Sequence, residues 1–181
     1  MYRCVEHIIC NSGIAKDDYE IIARHDSERI GCPKMVANLT NASSGEFVCF
    51  LGDDTLPQKD WLKYALEDME KLPGGWGLVG LNDNTGRILP CHWLASTKLL
   101  PLLGGEFFHT GYKHCYCDNE LMKRCEDMGR FTYSDKAIVE HDHPILRGNK
   151  ERDEFYTWAY SKEIIDHDHK LYFAREKKGW E

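Results

Sequence analysis

Asp53 and Asp54 stand side by side directly after the apolar run Phe47, Val48, Cys49, Phe50, Leu51 and Gly52. Two adjacent carboxylates repel one another unless a cation joins them, and hard divalent ions such as Mg²⁺ or Mn²⁺ take oxygen ligands of this kind. Two further clusters could serve the same chemistry: Asp118 with Glu120, and His141 with His143. In an extended segment His141 and His143 point to one face, and imidazole is a common metal ligand. A carboxylate aimed at a hydroxyl is a general base. Each cluster also has a plain structural reading. The Asp pair suits a turn, Asp118 suits a helix start, and His141 to His143 suits an exposed turn before Pro144. Arg147, Lys150 and Arg152 form a basic patch that could meet a diphosphate or simply be solvated. The run Asp166 to His169 reads as a solvated helix end, or as a zinc site with His114 and Cys115. Trp93, Phe107, Phe108, Tyr112 and Tyr116 read as core, or as a platform for stacking a sugar.

The elements that must position these groups alternate along the chain. Residues 47 to 51 predict a central strand covered on both faces, which places Asp53 and Asp54 at its carboxyl end, where open α/β sheets bind ligands. Val5 to Cys10 and Glu20 to Arg24 read as short strands, and residues 32 to 44 as a helix with Pro33 in its first turn. A second helix spans Asp60 to Leu72, closed by Pro73, Gly74 and Gly75, and a strand follows over Gly77 to Leu81. From Arg87 to Cys117, prolines and glycines predict an irregular segment. Asp118 then opens a helix that Gly129 stops, Ala137 to His141 reads as a strand, and Arg152 to Ile165 as a helix, before the apolar Leu171 to Ala174. The alternation predicts one α/β layered domain over residues 1–181, Rossmann-like, with a mixed central sheet.

Composition narrows the function classes. A chain of 181 residues with 42% apolar and 12% aromatic content can bury one good core. Its net charge of −7 argues against a broad nucleic-acid footprint. None of the eight cysteines forms a Cys-x-x-Cys pair, so a reduced, cytoplasmic protein is expected. No run of about 18 apolar residues is present to span a bilayer.

The order of the clusters resembles the GT-A glycosyltransferases, in particular family-2-like enzymes that use nucleotide-sugar donors. Asn38 to Pro57 is similar to that family's helix, Gly-Glu turn, apolar strand and acidic segment; Cys117 to Arg124 resembles its base-bearing motif; Val139 to Pro144 resembles the segment that supplies a further metal ligand. The resemblance implies a Mn²⁺ or Mg²⁺ ion on Asp54, His141 and His143, a nucleotide-diphosphate sugar met by Asp53, Asp54, Asn38 and Arg147, and a hydroxyl acceptor activated by Asp118 with Glu120 beside it. Single-step transfer would invert the anomeric centre. Two departures stand out: Gly52 replaces the leading Asp of the acidic run, and only Val5 to Ser12 precedes the Glu20 strand, where the family has a nucleotide-cradling unit. A second copy of the chain could supply that unit, which makes a homo-oligomer an expectation. The rival readings are a metal-dependent phosphoester hydrolase or nuclease, and a nucleotide-sugar-binding protein without turnover.

Overall fold

The structure is a computed structural model that describes residues 2–142 and 154–181. Among them the helices are α1 (Tyr2–Asn11), α2 (Cys32–Ala42), α3 (Trp61–Lys71), α4 (Leu100–Leu103), α5 (Cys117–Asp127), α6 (Glu154–Ala159) and α7 (Lys162–Lys177). The strands are β1 (Phe47–Phe50), β2 (Thr55–Pro57), β3 (Leu78–Asn82), β4 (Trp93–Ser96) and β5 (Phe131–His141). They form one sheet in the order β1-β4-β3-β5-β2. Only β3 and β5 are parallel; the β1–β4, β4–β3 and β5–β2 pairs are antiparallel. The protein is thus an α/β domain built on a mixed sheet.

Alternation along the inner strands divides the core between the two faces of the sheet. Leu78, Trp93 and Ala95 pack with Leu121 and Cys125 of α5, whereas Val79, Leu81 and Leu94 pack with Trp61, Ala65 and Met69 of α3. Both faces are covered, so β3 and β4 read as nearly continuous apolar runs.

Several sequence expectations are corrected. β1 is an edge strand with half-buried residues, not a central one, because β4 takes one of its edges and no strand takes the other among the described residues. Apolarity alone does not separate an edge strand lying against a cavity from a core strand. Val5 to Cys10 belongs to helix α1, whose Cys4, Val5 and Ile8 share a face at helical spacing. Glu20 to Arg24 belongs to no strand, and its Glu20 carboxylate accepts from the Ser44 N–H (2.7 Å) and hydroxyl (2.8 Å). β4 lies inside the stretch expected to be irregular. α7 runs through Asp166 to His169, where a helix end was expected.

One irregularity matters for the site. The β3–β5 register jumps from Leu81↔Ser134 to Asn82↔Ile138, a bulge in which the Ser134 hydroxyl accepts from the Ala137 N–H (3.1 Å). Bulges re-aim the strand that follows. Here the end of β5 crosses to β2 and pairs His141 with Thr55, the neighbour of Asp54.

Candidate functional site

The chain after β1 turns sharply. Gly52 carbonyl oxygen accepts from the Thr55 N–H (3.2 Å) and from the Thr55 hydroxyl (2.7 Å), which points Asp54 back across the sheet. The backbone of Asp142 then donates to the Asp54 carbonyl (2.8 Å), locking the two chain segments together. As a result His141 Nε2 lies 3.2 Å from Asp54 Oδ2. These residues are 87 positions apart, and strand pairing alone unites them.

A third group joins that the sequence reading did not single out. His92, immediately before β4, is buried; its Nδ1 faces the Gly52 N–H at 3.4 Å, and its ring meets that of His141 edge-on at 4.6 Å. Gly52 makes this possible: a Cβ there would lie 2.7 Å from Asp54 Oδ1 and 3.3 Å from His92 Cε1. The place where a leading Asp was expected is therefore filled by the neighbouring carboxylate and imidazole. Burial works to raise the Asp54 carboxyl, yet the hydrogen bond and charge of His141, with His92 behind it, outweigh that effect and hold it below its ordinary range.

Asp118 sits in the first turn of α5, which begins one residue earlier than expected, after Tyr116 in the left-handed region (φ 65°). It is not the helix cap. Its Oδ1 accepts from the Asn119 N–H (2.9 Å), and its Oδ2 accepts from the Cys91 thiol (3.6 Å). Burial dominates there and pushes the carboxyl above its ordinary value. A carboxylate raised in this way is better matched to taking a proton near neutral pH.

Asp53, Asp54, His92, Asp118 and His141 line one cavity of about 1490 Å³. Small-molecule sites usually occupy roughly 300–1,000 Å³, so this one is larger than most. It runs along the open side of β1, between α1 and α2, with Phe155, Tyr156 and Tyr160 at another wall. Asp53 itself is exposed at the rim.

Other expected residues lie elsewhere. Asn38 is exposed on α2 and does not line the cavity. Glu120 is buried, and its carboxylate is filled by protein: Arg175 donates to both oxygens (2.9 and 2.8 Å), Arg124 to Oε1 (3.2 Å) and the Tyr112 hydroxyl to Oε2 (2.8 Å). With its acceptor sites spoken for, Glu120 anchors α7 to α5 and does not reach the cavity. Trp93, Phe107, Phe108 and Tyr112 are buried core, although Phe108 and Tyr116 reach the cavity wall. His143, Arg147, Lys150 and Arg152 lie outside the described residues.

The His-rich run has a different role from either one expected. Asp168 is wholly buried and accepts three backbone N–H groups, from Lys113 (2.9 Å), His114 (2.8 Å) and Cys115 (2.8 Å). It pins the loop that leads into α5 and Asp118. No signal in the sequence marks Asp168 off from its neighbours Asp166, His167 and His169. Among the described residues no group of three or more His, Cys, Asp or Glu side chains is arranged to hold a metal ion. No helix there is long and apolar enough to cross a membrane. Compared with known proteins, the chain matches no family model, no curated protein and no solved structure.

Proposed function

We propose that this protein is a metal-dependent glycosyltransferase, which moves a sugar from a nucleotide-diphosphate donor to an acceptor hydroxyl with inversion. The observation that carries the reading is that Asp54, His141 and Asp118, from three distant segments, open onto one cavity. Their chemistry divides as such a reaction requires. Asp54 Oδ2 and His141 Nε2, 3.2 Å apart, have the spacing of two neighbouring ligands. Donors about 2.1 Å from one ion and roughly at right angles stand about 3 Å from each other.

A mixed oxygen and nitrogen pair suits Mn²⁺ or Mg²⁺, which keeps waters or phosphate oxygens in its remaining positions. Such an ion, when bound, offsets the diphosphate charge as the leaving group departs. Asp118, held proton-hungry by burial, would take the proton of the acceptor hydroxyl. His92 backs the pair from below, and the cavity is larger than most small-molecule sites.

The test is a thermal-shift screen of nucleoside diphosphates and their sugars with and without Mn²⁺, alongside donor turnover and the anomeric configuration of the product. A ligand that binds the folded state raises its melting point in step with saturation. The expected result is a Mn²⁺-dependent shift that Asp54→Ala abolishes, with transfer giving inverted product. A nucleotide shift unchanged by Asp54→Ala, or a retained configuration, would overturn the reading. Binding without turnover would make the protein a nucleotide-sugar binder, and phosphodiester cleavage without any nucleotide shift would make it a hydrolase.

A further inference from the structure

Cys91 stands between the two halves of the candidate site, next to His92 in sequence and against Asp118 in space. Its N–H donates to the Leu89 carbonyl (2.8 Å), which closes a three-residue turn centred on Pro90, where the fixed φ of proline fits. Pro90 is buried, and Gly80 of β3 leaves it room, since a Cβ there would lie 3.1 Å from Pro90 Cβ. The following residue is held as well: the His92 carbonyl accepts from the Leu81 N–H (3.0 Å). From this fixed backbone the Cys91 thiol reaches Asp118 Oδ2 at 3.6 Å, across 27 positions of sequence.

Among the described residues Asp118 accepts from the Asn119 N–H and from the Cys91 thiol, so Cys91 is the one side chain that donates to it. Both residues line the cavity. The other titratable groups that bear on Asp118 line it too: Arg87 from the loop after β3, Cys115 and Cys117 on its own segment, and Tyr160 just past α6. Burial raises both thiols and the phenol, so all three are neutral near pH 7. Arg87 is charged but exposed, where water and salt screen it. Cys91 keeps its proton, because burial, then the charges of Asp118 and Asp83, push its thiol far above the ordinary value.

We propose that Cys91 is a positioning residue for Asp118, whose thiol donates to Oδ2 and holds the carboxylate facing the cavity, ready to take the proton of an acceptor hydroxyl. The part played in transfer rests on the transferase reading, whereas the thiol–carboxylate bond does not. A thiol suits the task because it is a weak donor: it aims the carboxylate and leaves it more basic than a hydroxyl or a cation in the same place would. Its bond still favours the ionised form, and without it the effect of burial on Asp118 loses its side-chain hydrogen-bond counterweight. In the transfer step the acceptor oxygen bonds the sugar carbon, the diphosphate leaves with the electrons of its own bond, and the hydroxyl proton passes to Asp118. The Cys91 proton stays on sulfur throughout.

The S–H stretching band of the reduced full chain, followed by infrared absorption across the acid range, reads the bond without any turnover. The wild-type minus Cys91→Ala difference isolates the Cys91 band, and the wild-type minus Asp118→Asn difference reads the same bond with Cys91 in place. The expected band lies below the frequency of a free thiol near neutral pH and moves upward as Asp118 takes its proton, a movement that Asp118→Asn removes. A band at the free-thiol frequency at every pH, or one unchanged by Asp118→Asn, would overturn the proposal. The second readout is the pH profile of transfer. In Cys91→Ala the acid limb should move up by about half a pH unit, roughly a threefold loss of ionised base on that limb. A rate lowered equally at every pH, with the limb unmoved, would make Cys91 merely structural and refute its positioning role. No transfer at all, with the band still following Asp118, would sink the transferase reading, and with it the part played in transfer, and leave the thiol–carboxylate bond standing.

Discussion

Replacing Glu120 should unfold the protein long before it touches any chemistry. Its carboxylate and the Arg175 guanidinium form a two-pronged pair at 2.8 and 2.9 Å, and both residues are buried, at 3% and 8% exposure. Glu120→Ala would leave Arg175 without its counter-charge and the Tyr112 hydroxyl without its acceptor, and would remove one of the three acceptors of Arg124, which keeps the Leu102 and Leu103 carbonyls. Removing one partner of a buried pair typically costs about 3–5 kcal/mol, because the other charge stays desolvated. For a chain of this size each kcal/mol moves the midpoint by about 2–4 °C, so a fall of roughly 6–20 °C is expected.

The assay is urea and thermal unfolding of Glu120→Ala, Arg175→Met and the double variant. The double variant should recover part of the loss, since no lone charge remains. Acid supplies the second readout. Burial alone would raise the Glu120 carboxyl, but the hydrogen bonds from Arg175 and Tyr112 hold it below its ordinary value. Its folded pKa is thus depressed, so its contribution is complete above the unfolded carboxylate range and is lost as pH falls through the folded value. The wild type should therefore lose stability between about pH 5 and the more acidic folded value, and Glu120→Gln should show a flatter profile there. A loss under about 1 kcal/mol in Glu120→Ala, with wild-type acid sensitivity, would refute the anchoring role and return Glu120 to the cavity.

Two further perturbations separate the fold from the site. Asp118→Asn should stabilise the protein at neutral pH, because burial raises the Asp118 pKa and makes its ionised form a cost. The sign follows from linkage: a raised pKa gives stability that is complete below the unfolded value and is lost as pH rises through the folded one. The gain should vanish below about pH 4, while transfer is abolished and Mn²⁺-linked nucleotide binding persists; a loss of donor binding would contradict the assignment as base. Gly52→Ala puts a methyl 2.7 Å from Asp54 Oδ1, and the carboxylate end can swing away. Stability should change by less than about 1 kcal/mol, since that end is flexible and partly exposed, while the Mn²⁺-linked shift is lost; an intact shift would show that Asp54 need not face His141.

What could be read from the chain itself was whatever depends on neighbours in sequence. The helical spacing of Met35 and Leu39 and of Leu62, Leu66 and Met69 marked α2 and α3, and the apolar run before Asp53 marked β1. The order of the acidic and histidine clusters was also visible, and with it the reason to look for Asp54, Asp118 and His141 in one place. Short apolar runs were the weak point: Val5 to Cys10 fits a strand or one face of a helix equally well, and only the packing of α1 against β2 settles it.

The tertiary structure alone decided the rest. Whether Glu120 faces a cavity or a salt bridge depends on Arg175, 55 residues away. His92 reaches the site because β1 and β4 are neighbours, and His141 because a bulge in β5 redirects its end onto β2. Asp168 stands apart from the acids around it because the fold buries it and brings three backbone N–H groups to it. Periodicity records which face of an element is apolar, but it carries no information on which other element will meet that face, because strand order and register arise from contacts between segments far apart in the chain.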